Sequence, residues 1–251
     1  RAEEREHERQ HEQRHADPVD PDVVPGGDRG DPRGVHDELQ RRGVPVAETT
    51  DSNKIKILDL SGTNLREANL NGANLNEANL IRANLNGAKL IEANLNEANL
   101  NGANLNGAKL NEANLNGANL NGAKLIEANL IEANLNEANL NEANLDGANL
   151  IVANLNEAYL YGANLNEAYL WGAYLNGAYL NGANLNGAED LYPEQIKSAC
   201  FWEKAIYTEA EWDFDKQLWV AEDPKANQRE IDKLKRDKNS DPPNPIDCNT
   251  K

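Results

Sequence analysis

Residues 93–105 read ANLNEANLNGANL, and the spacing inside this stretch decides the fold. Leu recurs at every fifth position from Leu60 to Leu185, 26 times without a miss. Ala stands two residues before it from Ala68 to Ala188, 25 times in a row. A period of five matches neither the α-helix nor a continuous strand. Residues two apart in a short extended stretch point to the same side, so Ala and Leu share one face. The residue between them, Asn at 18 of 26 positions, points away. Two more residues turn a corner: the first is usually Asn, and the second is Gly 13 times and Glu 11 times. Each unit is therefore one short face plus one bend, always bending toward the Ala/Leu side.

Coils built this way stack about 4.8 Å apart, so that backbone groups pair with the coils above and below. The Leu and Ala form ladders along a narrow interior. At roughly 1.5–3 kcal/mol per buried Leu, an upper estimate, such ladders drive folding without large aromatics. With these residues in register the stretch ANLNEANLNGANL resembles the pentapeptide-repeat family, motif A(D/N)LXX, over roughly residues 58–190. The resemblance implies an all-β solenoid, a right-handed quadrilateral β-helix with four pentapeptides per coil. On that geometry the 26 faces make about 6.5 coils and a rod about 31 Å long, taking the strand spacing as the rise per coil. Leu58 and Thr63 stand where the motif has Ala, as expected of an atypical first coil. The repeat domain is thus placed at 51–190, with regular repeats over 58–188.

The flanks differ from it. Residues 1–50 contain no Asn, Ile, Lys or Phe, carry Pro18, Pro21, Pro25 and Pro32, and hold all four His. This charged segment is poor in large apolar residues, so it is expected to be disordered. His7, His11 and His15 have the i, i+4 spacing of a metal clamp, but they read as incidental residues of a solvated tail. Residues 191–238 are assigned to a cap with short helices, because a solenoid end exposes open edges. Pro193 and Glu194 suit a first helical turn, with Ile196 and Ala199 on one face. Phe201, Trp202, Trp212, Phe214 and Trp219 supply its apolar mass, and the resemblance also implies a helical C-terminal cap. A second helix is expected from Pro224 to Lys235, and 239–251 is expected to be a disordered tail.

The net charge of −17 divides as −5 over 1–50, +1 over 51–58, −10 over 59–190 and −3 over 191–251. No segment makes the basic stripe that phosphate neutralisation needs, so direct nucleic-acid binding is not expected. No apolar run reaches membrane-span length. The repeat region has neither His nor Cys, and its carboxylates sit at corners of a convex rod. Nucleophilic dyads, transition-metal sites and a small-molecule pocket are accordingly not expected. The column Glu92, Glu112, Glu132 does not by itself enclose a cation. No enzyme activity, catalytic residue, metal or cofactor is assigned. Cys200 and Cys248 have the option of one disulfide. The chain contains no Met, so the native N-terminus is not visible; a cytoplasmic location is expected, with the periplasm or thylakoid lumen left open.

Folding the outward residues onto a 20-residue coil gives two features. Asn76, Asn96, Asn116, Asn136, Asn156 and Asn176 form one column, read as an amide ladder. A second face presents Ile91, Ile131, Ile151, Val152, Tyr169 and Trp171, and the last coil and a half adds Tyr159, Tyr161, Tyr174 and Tyr179. Two readings of this aromatic belt stay open: the C-terminal region folds back over it, or it contacts another molecule. The function expected is a scaffold presenting regular faces to a protein partner, or a weak homo-oligomer. The resemblance adds the alternative of a DNA mimic that binds DNA gyrase, although here the outward faces are mostly neutral Asn. Ice binding by a flat face is more remote, since Thr is absent from Asn64 to Ala188.

Overall fold

In the computed structural model, residues 38–43, 47–48, 58–213, 216, 218–242 and 248 are described; His7, His11, His15 and Phe214 lie outside them. Every pentapeptide closes with a turn whose Ala N–H donates to the Leu carbonyl three residues back, as from Ala133 to Leu130 at 3.0 Å. The next residues run between coils. Asn134 N–H donates to Ala113 O at 2.9 Å, Leu135 N–H to Asn154 O at 2.7 Å, and Glu137 N–H to Asn156 O at 3.0 Å. The remaining donor, Asn136 N–H, has no carbonyl in reach and bonds the side-chain Oδ1 of Asn134 at 3.2 Å. All five N–H groups of the unit are thereby satisfied, as buried or half-buried backbone requires. The outward Asn is there because its side chain takes the one donor the backbone cannot serve, a local Asx bond.

Parallel bridges join residues 20 apart, from Asn64 with Asn84 to Tyr169 with Glu189, so one coil contains four pentapeptides. Each Leu from Leu60 to Leu185 is at most 4% exposed, and so is each Ala from Ala68 to Ala183. They form one continuous core. All 26 second corner residues have positive φ, the conformation that the third position of a type II turn demands. Only half of them are Gly. The others, including Glu132 at 58° and Val152 at 57°, adopt a conformation that costs an L-residue roughly 1–2 kcal/mol. Gly helps in a second way at Gly87, where a Cβ would stand 3.3 Å from the Cγ of Glu67, one coil earlier.

The two ends are built from non-repeat sequence. At the start, β1 (Ala47–Glu48) pairs antiparallel with β2 (Leu58–Asp59), and Asp59 bridges on to Asn79. Residues 38–41 are helical and drive Leu39, 0% exposed, into the end of the Leu ladder. This differs from the composition-based expectation for 1–50. Leu39 joins the same buried core as the Leu ladder.

At the far end the solenoid outlasts its motif. Cys200 bridges to Tyr179 and Ile206 to Asn184, with Ala199 and Ala205 buried beneath them. Ala199-Cys200 and Ala205-Ile206 therefore act as further rungs, offset because α1 (Pro193–Ser198) is inserted between coils. Gln195 in α1 donates from its amide to Leu170 O at 3.1 Å and Ala173 O at 2.8 Å, closing the open edge. Beyond Ile206, β3 (Ala210–Asp213) and β4 (Leu218–Ala221) form a hairpin with Trp212 opposite Trp219. The helix α2 (Pro224–Arg236) follows, capped by Asp223, which accepts from the Lys225 and Ala226 N–H groups. The buried Asn227 ties α2 to the rod end by accepting from Tyr207 N–H and donating to Ala205 O. The cap is thus part helix and part hairpin. The expectation of a free tail from 239 is also corrected in part, because Ser240 is buried and Cys248 forms a disulfide with Cys200.

Candidate interaction surface

The outward positions that lack Asn create a local problem, since the corner N–H then has no side-chain acceptor two residues earlier. At Lys89, Lys124, Tyr159 and Tyr174 the corner Asn of the preceding coil takes over. Asn71 accepts from Ile91 N–H at 3.0 Å, Asn106 from Ile126 at 3.0 Å, Asn141 from Tyr161 at 2.9 Å, and Asn156 from Asn176 at 2.9 Å. At these four positions the corner N–H stays bonded although the outward Asn is gone; before Asn111, Trp171 and Asn181 the corner residue one coil earlier is Ile91, Ile151 or Tyr161, which offers no amide.

The column from Asn76 to Asn176 is not the uninterrupted amide ladder expected of it. Asn96 donates to Asn76 Oδ1, but Asn116 donates to the Asn136 backbone carbonyl. Side-chain ladders run instead along the faces, through Asn94, Asn114, Asn134 and Asn154, and through Asn144, Asn164 and Asn184. Corner amides divide between the two kinds of partner: Asn86, Asn116 and Asn121 bond a backbone carbonyl of the next coil, whereas Asn166 and Asn186 bond a side chain of the coil before.

The aromatic belt lies on the last coils. Tyr159, Tyr161 and Tyr174 are exposed at 40%, 39% and 56%, and Tyr192 of the cap joins them at 43%. Ile91, Ile131, Ile151, Val152, Tyr169 and Trp171 are half-buried, as are Ile81 and Ile126, two outward apolar residues the sequence reading passed over. Tyr179 stacks on Tyr159, ring centroids 5.0 Å apart, and meets Phe201 of the cap at 6.1 Å. The cap therefore reaches Tyr179 and leaves the neighbouring tyrosines open. Of its own aromatics, Trp202 packs against the rod core, while Trp212 and Trp219 meet edge to face at 5.4 Å in the hairpin. Trp202 also accepts through its carbonyl from the Tyr207 hydroxyl at 2.7 Å. Burial, with the nearby Glu203 charge, pushes that phenol well above its usual range.

Charged groups secure both ends. Burial pushes the Glu38 carboxyl up, but bonds from Arg42, Arg41 and the Asn69 N–H outweigh it and hold the group below its usual range. Asn69 has no described coil beneath it, so Glu38 replaces a missing rung. Arg42 similarly donates to Arg66 O at 2.8 Å. At the other end the buried Lys197 ammonium donates to Asp237 O and to Asp241 Oδ1, the latter at 2.9 Å. That bond and the lysine charge keep the Asp241 carboxyl low. Within 1–50 the sequence points to the region near Val35–Leu39 as the part able to dock as a cap, but it marks neither Glu38 nor Lys197 individually: both look like ordinary surface charges until the chain folds. Among the described residues, no group of three or more His, Cys, Asp or Glu could hold a metal ion, and no helix is long and apolar enough to cross a membrane.

A family model described as pentapeptide repeats (eight copies) matches within 59–189, including residues 59–96, 88–125, 113–150, 123–160 and 153–189, just over half of the chain. Among solved structures, HetL, a pentapeptide repeat protein involved in heterocyst differentiation regulation in the cyanobacterium Nostoc, is 31% identical. That match covers 61% of this chain and 88% of HetL, with a TM-score of 0.38. A pentapeptide repeat protein of the Arabidopsis thaliana thylakoid lumen is 27% identical, covering 55% of this chain and 71% of that one, with a TM-score of 0.30. QnrB1, a plasmid-mediated fluoroquinolone resistance protein, is 18% identical over 60% of this chain and 79% of its own, with a TM-score of 0.36. A comparison with curated proteins returned no match.

Proposed function

The chain belongs to the pentapeptide-repeat family, and from that premise we propose that it is a non-enzymatic scaffold whose C-terminal coils bind a protein partner. The family fold is a right-handed β-helix solenoid, and the repeat region adopts it. We place it in the four-sided form, about 6.5 coils over its 26 regular faces and closed by the helix-and-hairpin cap. The observation that carries the functional reading is the set of tyrosines left exposed on the last coils, Tyr159, Tyr161 and Tyr174, the last of them on the face that follows the half-buried column Ile131, Ile151, Trp171. A rod needs nothing aromatic outside: Asn at these positions serves the coil with a shorter range of contacts. Tyr combines a large apolar area with a polar tip, the chemistry enriched at protein interfaces.

The Cys200–Cys248 disulfide favours an oxidising compartment, so of the three locations open to the sequence the periplasm and lumen gain weight. The DNA-mimic reading has weaker support, because most acidic residues of the rod stay at corners and the face columns are mostly neutral Asn, with Lys at 89, 109 and 124. The test is a pull-down with the intact chain and with the Tyr159→Asn, Tyr161→Asn, Tyr174→Asn triple variant. A partner held by the first and lost by the second, at unchanged circular dichroism, supports the reading. Equal capture by both proteins removes the belt from the function. Inhibition of gyrase supercoiling by the triple variant as well as the parent would favour DNA mimicry instead.

A further inference from the structure

The chain contains nine Asn-Gly steps, all at corners of the rod. In this dipeptide the glycine amide nitrogen can attack the preceding Asn side chain, since no Cβ shields it. A bond forms from the glycine N to the Asn Cγ, the Cγ–Nδ2 bond breaks, and ammonia leaves. Water then opens the cyclic imide to aspartate or isoaspartate. Attack requires that the glycine N–H give up its proton and that the corner open enough to bring nitrogen and Cγ together.

Eight of the nine steps are held against this. Gly72 N–H donates to Ile91 O at 2.8 Å, and Gly122 N–H to Asn141 O at 2.9 Å, each on the next coil. Near the end the cap supplies the acceptor: Gly177 donates to Ser198 O at 2.9 Å and Gly182 to Lys204 O at 3.0 Å. The ninth differs. Leu185 N–H still reaches Ile206 O at 2.7 Å, but the chain then leaves toward β3. Among the described residues Gly187 N–H makes no such bond, and Gly187 is exposed. The Asn186 amide is tied by Nδ2 to Asn166 Oδ1 at 3.2 Å, one coil earlier.

We propose that Asn186-Gly187 is a site of spontaneous deamidation, the one corner of the rod whose imide chemistry the fold does not restrain. Conversion to aspartate places a carboxylate where the Asn186 amide met Asn166 Oδ1, oxygen against oxygen. It also removes the amide donor that Asn166 accepts. The C-terminal edge of the solenoid thus carries a site that acquires charge with age.

The test follows each Asn-Gly step of the full chain by peptide mass spectrometry during incubation at mildly alkaline pH, in buffer and in denaturant. Local opening is nearly free at frayed ends and approaches the global cost in the core, so Asn186 should lead the ladder-bonded steps by about tenfold or more in buffer. In denaturant the spread should collapse. Asn186→Gln should abolish the leading conversion and leave the other eight unchanged. Two results would overturn the proposal: another step keeping pace with Asn186 in the folded protein, or Asn186 leading by the same factor when unfolded.

Discussion

Replacing Asn106 by Ala removes the Oδ1 that accepts Ile126 N–H at 3.0 Å, one coil away. The bond exists because Lys124 stands where most pentapeptides have Asn. A net hydrogen bond of this kind contributes about 1 kcal/mol, toward the lower side where water reaches the freed group. The same substitution in a Lys124→Asn background should cost almost nothing, because Asn at 124 can accept Ile126 N–H locally, as Asn134 does for Asn136. The coupling between the two sites is then about 1 kcal/mol, well above the error for independent positions. Native-state hydrogen exchange reads it at the Ile126 amide, which should exchange roughly two- to fivefold faster in Asn106→Ala alone, given tenfold per 1.4 kcal/mol. A thermal shift of about 2–4 °C would accompany it if the rod melts as one unit. Equal cost in both backgrounds would refute the inference that the coil below substitutes for a missing outward Asn.

Replacing Leu125, 1% exposed, with Ala should cost about 2–5 kcal/mol in chemical denaturation, and Leu125→Asp should abolish the β signature in circular dichroism; a soluble, native-like Asp variant would contradict the buried ladder. Val152 holds φ at 57°, which a β-branched residue resists, so Val152→Asn should raise stability by up to about 1 kcal/mol; a loss would mean that packing onto Gly172 outweighs backbone strain. Reducing the Cys200–Cys248 disulfide, which spans 48 residues, should destabilise the cap by on the order of 4 kcal/mol in the chain-entropy model while the rod signal persists; simultaneous loss of both would show that rod and cap unfold together. Glu38 sits below its ordinary value of 4.5, so its contribution is complete above that value and declines as pH falls through the depressed one. Protease access to residues 38–43 should therefore rise only in acid, and Glu38→Gln should remove that dependence.

Periodicity alone made the interior legible. A five-residue repeat with two apolar positions allows one inward side, and a closed coil is the only way to bury that side continuously. The same argument located the corners and their turn residues, and it placed the aromatic belt near the C-terminal end. The role of the outward Asn was less visible. Its side chain looked solvent-facing, but its partner is a backbone N–H two residues on, and only the folded corner reveals that this donor lacks a carbonyl. The relay through Asn71, Asn106, Asn141 and Asn156 was hidden for the same reason, since it joins residues 20 apart that no local pattern connects.

The ends were decided by tertiary structure. Leu39 and Glu38 belong to a segment whose composition predicts no fold, yet an uncovered Leu ladder and an unpaired Asn69 N–H give them partners. Ala199-Cys200 and Ala205-Ile206 continue the rungs without the motif, because a bridge needs backbone in register and a small inward residue, not a particular sequence. Which tyrosines remain open depended on the path of the cap: it meets Tyr179 through Phe201 and passes by Tyr174. Repetition encodes the middle of a solenoid, where every coil has the same neighbours. Its termini have a neighbour on one side only, and what covers the other is settled by whichever distant residues reach it.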